Sequence, residues 1–303
     1  MAQISLRGMG VALATPFKSD FSIDYESLAR LVEHQINGGA DYMVVLATTS
    51  EAVTLNRRER AEIARFVAAQ VAGRIPLILG MSGNCTEDLT THIEETDFTG
   101  YSAILSVVPY YNKPSQEGIY RHFKAVAETS PVPVVLYNVP SRTGKNMEAA
   151  TTLRLATELP GKIIGIKEAS GNMEQIAAII SDKPETFHVV SGDDALTLQL
   201  IRMGAEGVIS VVGNALPAAM SRLVHTALTN PDSIEAARIN ASLQTLDRAL
   251  FADGNPSGLK CLLSQMALAD DVLRLPLVPV TDKTRAAIAE GLKIALNHNP
   301  SAN

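Results

Sequence analysis

The sequence predicts an α/β fold, a (β/α)8 TIM barrel followed by a C-terminal α-helical extension. Three observations carry this. Eight short β-rich runs recur along the 303 residues, each followed by a longer stretch with helical spacing. The runs are apolar nearly throughout instead of alternating, as parallel strands covered on both faces must be, and parallel neighbours need crossover helices. After residue 212 no strand pattern remains. An open doubly wound sheet ranks lower, because no G-x-G-x-x-G follows the first run and because eight regular units are what closure requires.

The runs fall at residues 11–17, 42–47, 75–80, 103–108, 134–138, 163–168, 188–192 and 207–212. Asn56, with Glu59 three residues on, forms a capping-box entry to a helix. Asp24 and Ser115 are N-caps, and Gly38-Gly39 is a helix stop. Later segments read as helices over 217–229, 233–250, 256–268 and 282–296. The Asn230-Pro231-Asp232 turn sets the expected division, with a catalytic barrel over 1–230 and a helical domain over 231–303 packed on the barrel or on another subunit.

Composition bounds the function. With 46% hydrophobic residues the chain can bury a large core. Its 26 basic and 32 acidic residues give a net charge of -6 without a basic block, which argues against nucleic acid or an anionic membrane as partner. The start lacks a signal pattern and no apolar stretch approaches the roughly 20 residues of a membrane span, so a cytoplasmic location is expected. Cys85 and Cys261 are too few for a disulfide framework, and the six histidines lack H-x-H or H-E-x-x-H spacing. Neither a metal nor a phosphate site is expected, the glycines of 204–213 serving tight turns equally well.

Functional groups of a parallel barrel collect at the carboxyl ends of its strands. Lys167 closes the apolar run Ile163-Ile164-Gly165-Ile166 and opens a polar stretch. An amine stripped of hydration there presents its neutral, nucleophilic form to a carbonyl, whereas its ordinary role would be an ion pair with Glu168. Thr48-Thr49-Ser50 offers hydroxyls and N–H groups to a small carboxylate, or else simply caps the following helix. Tyr137, on the neighbouring strand, is a proton carrier for Lys167 or a packing residue. Arg142, in a Pro- and Gly-bounded loop, is a carboxylate clamp or the partner of a local acid. Tyr110 and Tyr111 cannot both face one way on an extended segment, which turns one of them toward a partner subunit. Of Asp193 and Asp194, one is expected to cap a helix starting near Ala195, with Gly192 allowing close approach of a ligand.

Five segments, Thr48–Glu51, Pro109–Asn112, Tyr137–Gly144, Gly165–Gly171 and Ser191–Asp194, together resemble the dihydrodipicolinate synthase and N-acetylneuraminate lyase family of pyruvate-dependent class I aldolases, in family order and over nearly the whole chain. Arg142 and Tyr111 favour the synthase branch. There the resemblance implies that Lys167 forms the pyruvate imine, Tyr137 transfers protons, and Thr48 links Tyr137 to a Tyr111 donated by the neighbouring subunit. It further implies that Thr49 binds the pyruvate carboxylate, Arg142 receives the carboxylate of L-aspartate 4-semialdehyde, and the Gly192 and Ile209 backbones line the site. It implies no cofactor, and a homotetramer built from tight dimers.

The sequence departs from the family pattern in three places. Ala47 and Ser50 replace glycines, and Ser50 is expected to put a side chain where the backbone approaches substrate. Asn255-Pro256-Ser257-Gly258-Leu259-Lys260 replaces the usual Asn-Pro-x-Pro-x-Lys and is expected to loosen a turn without touching a catalytic role. The family's lysine feedback pocket maps to Ala52, Val53, Arg57, Arg60, Asn84, Asp88 and Tyr110, with arginines that repel a cationic effector. The competing readings are an aldolase or lyase acting on a sugar-derived 2-keto acid, which would not need Arg142, and a noncatalytic pyruvate or lysine sensor, which would need no nucleophile.

Overall fold

The computed structural model describes residues 4–299. Eight parallel strands close into a barrel in sequence order. They are β1 (Gly8–Ala12), β2 (Tyr42–Val45), β3 (Leu77–Gly80), β4 (Ala103–Val107), β5 (Val134–Asn138), β6 (Ile163–Glu168), β7 (His188–Ser191) and β8 (Gly207–Ser210). Between them run the helices α1 (Tyr25–Asn37), α2 (Arg57–Val71), α3 (Thr86–Glu94), α4 (Gln116–Thr129), the short α5 (Pro140–Thr143), α6 (Ala149–Glu158), α7 (Met173–Asp182) and α8 (Thr197–Arg202), and α9 (Pro217–Thr229) follows β8. Three more, α10 (Ile234–Phe251), α11 (Ser257–Gln265) and α12 (Asp282–His298), form the C-terminal segment.

Alternation along the strands divides the core in two. Met9, Val11, Met43, Val45, Leu136 and Ile166 pack outward with helical residues. Leu6, Ala12, Tyr42, Val44, Leu105, Tyr137, Val190 and Ile209 form a second cluster without helical members, which fills the barrel. The expected N-caps are present: Asp24 accepts from Ser27 N, Ser115 accepts from Gly118 N, and Asn56 and Glu59 make a reciprocal capping box.

Two strand ends differ from expectation. The first strand begins at Gly8, because glycines leave no apolar signature yet are required here. A Cβ on Gly10 would lie 2.2 Å from the Tyr42 ring, so the glycine makes room for a large side chain inside the barrel. Residues 13–17 leave the sheet, with Phe17 making a single antiparallel bridge to Ile23. The last strand stops at Ser210, and the chain turns into a 3₁₀ segment over Val212–Asn214. That turn is held by Asp194, whose Oδ2 accepts from Val211 N at 2.8 Å and Val212 N at 2.9 Å.

Candidate active site

Register places the site. Tyr137 on β5 is level with Lys167 on β6, and Lys167 with Val190 on β7. Lys167 is 4% exposed, and its Nζ lies 4.6 Å from the centroid of the Tyr137 ring. Glu168, one residue on, points to the other side of the sheet. Its carboxylate accepts from Asn138 Nδ2 at 3.2 Å, Ser170 N at 2.7 Å and Gln175 Nε2 at 3.3 Å. Burial raises its pKa against those hydrogen bonds. Glu168 is therefore no ion-pair partner of Lys167, whose amine has no carboxylate within 4 Å among the described residues.

A cavity of about 200 Å³ holds Lys167, Tyr137, Thr48, Thr49, Arg142 and Gly192 in its wall. Thr48, Thr49 and Ser50 themselves wind into a short 3₁₀ turn at the carboxyl end of β2. Thr49 is buried and accepts at Oγ1 from Asn255 Nδ2 at 3.0 Å. Contrary to the expectation from its replacing a glycine, Ser50 does not line the cavity; its hydroxyl donates to Leu13 O at 2.6 Å, tying the turn to the chain after β1. A Cβ on Gly192 would sit 3.1 Å from Lys167 Cε, so glycine there leaves the amine room. Ile209 is buried in the inner cluster, but the β8 side of the cavity is lined by Val211.

Arg142 lies in α5 at the exposed edge, where its Nη2 donates to Asn255 O at 3.2 Å. Asn255 thus joins the Thr49 hydroxyl and the Arg142 guanidinium, and Phe251 of α10 also lines the cavity. The 255–260 segment was expected to touch no catalytic role, yet Asn255 reaches the Thr49 side chain in the cavity wall. Only a contact between residues 206 apart reveals this, and the sole local hint was the Asn-Pro pair itself. The expectation for Asp193 and Asp194 also needs correction. Asp193 Oδ1 accepts from Ala195 N in a tight turn, whereas α8 starts at Thr197 without a side-chain cap.

Tyr110 and Tyr111 diverge as expected, but through a left-handed backbone at Tyr111 and not through strand alternation. Tyr111 is 89% exposed at a positive φ of 73°, an unusual backbone for a bulky residue. Tyr110 is half-buried and lines a larger cavity of about 430 Å³ together with Ala52, Val53, Arg57 and Arg60. Asn84 donates to Tyr110 O at 3.3 Å, and Asp88 pairs with Arg57 at 2.9 Å. Ala47, Thr48 and Tyr137 border both cavities.

The turn carrying the threonines is anchored from beneath. Glu51, in left-handed backbone and fully buried, pairs with Lys260 of α11 and accepts at Oε2 from Arg274 N at 3.2 Å. Lys260 Nζ also donates to Val272 O at 2.8 Å and lies 4.0 Å from the Phe17 ring centroid. Burial pushes the Lys260 amine down to about 8, against the pull of Glu51.

The sequence comparisons agree with this geometry. The model of the dihydrodipicolinate synthetase family matches residues 5–295. A protein of Parabacteroides distasonis named 4-hydroxy-tetrahydrodipicolinate synthase is 52% identical over 293 residues, 97% of this chain and 98% of the relative. Among solved structures, the 4-hydroxy-tetrahydrodipicolinate synthase of Methylacidiphilum fumariolicum superposes with a TM-score of 0.93 at 36% identity over 98% of both chains. The Acinetobacter baumannii dihydrodipicolinate synthase, described as complexed with pyruvate, gives 0.92 at 38% identity, covering 96% of this chain and 99% of that one. A closed barrel, a buried lysine beside a tyrosine and a match over nearly the whole length place this chain in the dihydrodipicolinate synthetase family.

Proposed function

We propose that the chain is a Schiff-base lyase with 4-hydroxy-tetrahydrodipicolinate synthase activity, condensing pyruvate with L-aspartate 4-semialdehyde at the entry to diaminopimelate and lysine biosynthesis. The observation that carries this is the Lys167 amine, buried, with no carboxylate within 4 Å among the described residues, and 4.6 Å from the Tyr137 ring in a cavity edged by Arg142. The neutral amine attacks the keto carbon of pyruvate and, with loss of water, becomes an imine that draws electrons from the methyl group. Loss of a methyl proton gives an enamine, with Tyr137 as the proton carrier relayed through Thr48. The enamine attacks the aldehyde, the substrate's own amine displaces Lys167 as the ring closes, and the enzyme is regenerated.

Thr49, fixed by Asn255, holds the pyruvate carboxylate in this reading, with the Gly192 and Ile209 backbones beside it. Arg142 receives the carboxylate of the semialdehyde, which favours that substrate over a polyhydroxy aldehyde. No metal or organic cofactor enters any step. Exposed Tyr111 completes the relay in a neighbouring subunit of a homotetramer built from dimers, and the enzyme works in the cytoplasm. The barrel is assigned to residues 1–230 and the helical domain to 231–303. Arg57 and Arg60 in the larger cavity imply weak or absent inhibition by lysine; inhibition at low micromolar lysine would refute this. The decisive experiment is borohydride reduction with pyruvate followed by mass spectrometry, then a choice between aspartate semialdehyde and sugar aldehydes. Absence of an adduct, or an adduct that survives Lys167→Ala, would overturn the assignment of the nucleophile.

A further inference from the structure

We propose that Asp247 is a positioning residue: held as a carboxylic acid against the Asp194 carboxylate, it seats α10 on the barrel so that Asn255 reaches Thr49. Phe251 ends α10 one turn after Asp247 and lines the cavity of Lys167, and Asn255 follows it into the same wall. Whatever fixes this end of α10 therefore fixes part of that wall. Gln244 Nε2 donates to Ala195 O at 3.3 Å, and Asp247 lies one turn further along the same helix face. That face meets the turn carrying Asp193 and Asp194, of which Asp193 also lines the cavity.

The two carboxyls are supplied unequally. Asp194 accepts from Val211 N and Val212 N through Oδ2, which stabilises its charge. Asp247 has no such donors, and its buried Oδ1 is without a hydrogen-bond partner among the described residues, as is Asp194 Oδ1. No cation pairs with either carboxylate within 4 Å among the described residues. Two buried like charges without a cation are unfavourable, and one proton relieves the repulsion. It resides on Asp247, the member without backbone donors.

The charges that act on Asp247 are Asp194 and Asp193 of the turn and Arg248 of α10 itself. On the other helices packed against α10, the cations are engaged elsewhere: Arg202 of α8 by Asp232, Arg222 and His225 of α9 by Glu235 and Asp41, Lys260 of α11 by Glu51, and Arg285 of α12 by Asp271. The remaining charged side chains of α10 and α12, Arg238, Asp282, Lys283, Glu290, Lys293 and His298, are exposed. Below about pH 8 the proton is retained; above it the two carboxylates repel, α10 lifts from the turn and Asn255 leaves Thr49. The KM for pyruvate then rises. The proton and the seat of α10 stand on the fold alone, whereas the effect on pyruvate rests on the activity proposed above.

The test compares the full-length wild type with Asp247→Asn, which keeps a neutral side chain of the same shape. Between about pH 7 and pH 9.5 the ratio of wild-type to variant KM for pyruvate should grow about fivefold or more, the effect of losing one hydrogen bond. In an Asn255→Ala background the same ratio should stay constant, because the contact is already gone. Without pyruvate, infrared difference spectra over this range should show a carboxylic-acid C=O band lost from wild type and absent from Asp247→Asn. Amide exchange over residues 248–256, corrected for the intrinsic effect of pH, should rise in wild type alone. A KM ratio independent of pH, or one that grows equally without Asn255, overturns the positioning role, as does equal exchange in the two proteins. The same infrared band in both, or in neither, overturns the proton. If no pyruvate adduct forms at any pH, the activity fails while the infrared and exchange comparisons still decide the proton and the seat.

Discussion

Asn255 donates from its side chain to the Thr49 hydroxyl at 3.0 Å, so the segment after the barrel orients a group at the barrel's mouth. The same residue accepts from Arg142 through its carbonyl oxygen. One residue thus bears on both proposed carboxylate sites, through its side chain on one and its backbone on the other.

Asn255→Ala frees the Thr49 hydroxyl and should raise the KM for pyruvate about fivefold to tenfold, the effect of losing one hydrogen bond of about 1 kcal/mol. At saturating pyruvate, borohydride trapping on Lys167 should still reach completion. Steady-state kinetics with an unchanged KM would show that Asn255 does not position Thr49.

Tyr137→Phe removes the phenol beside the Lys167 amine but leaves the amine in place. Turnover should fall by roughly 10²–10⁴ while the pyruvate adduct still forms. Tyr111→Phe should behave similarly if its hydroxyl serves a neighbouring subunit. Co-expression of the two variants then creates mixed dimers with one intact site, restoring about a quarter of wild-type activity for random pairing. No recovery above the single variants would place Tyr111 outside the neighbour's site.

Lys260→Met leaves the Glu51 carboxylate fully buried without its cation. Removing one partner of a buried pair destabilises by about 3–5 kcal/mol, and the loss should appear in urea unfolding. Glu51→Gln added to Lys260→Met should recover part of it. If the single variant unfolds at the wild-type midpoint, the pair does not anchor the threonine turn.

Asp247 on α10 is 4% exposed, and burial, then the charges of Asp194 and Asp193, push its carboxyl from 3.8 up to about 8, with Arg248 opposing. The native state holds a proton that the unfolded chain releases near pH 4, so this group makes the protein less stable as pH rises from about 4 to about 8. Asp247→Asn should leave stability unchanged at pH 4 and raise it at pH 9 by at least about 1 kcal/mol. Equal unfolding midpoints for the two proteins at pH 9 would contradict this.

The barrel was legible because the outer and inner faces of its parallel strands are both covered, which writes apolar runs into the sequence. Lys167 and Tyr137 were legible as polar groups where such runs end. The first strand was misplaced because its register depends on Gly10 clearing the Tyr42 ring, a contact across strands that leaves no periodic mark. Ser50 misled for a related reason: its neighbours in sequence face the cavity, but its hydroxyl is drawn to Leu13 O. The divergence of Tyr110 and Tyr111 was legible, but its cause, the left-handed backbone of Tyr111, was not. Asn255 could not be found that way, because its partners lie 206 and 113 residues earlier.

The pairing of Glu51 with Lys260 sets a limit on shortening the protein. A chain cut after Thr229 keeps all eight strands and every hydrogen bond between them. It would also leave Glu51, beneath the threonines, without Lys260 and Arg274, and Thr49 without its donor. Such a fragment has a complete sheet and a disarmed pocket, so minimal versions of this enzyme must be trimmed elsewhere.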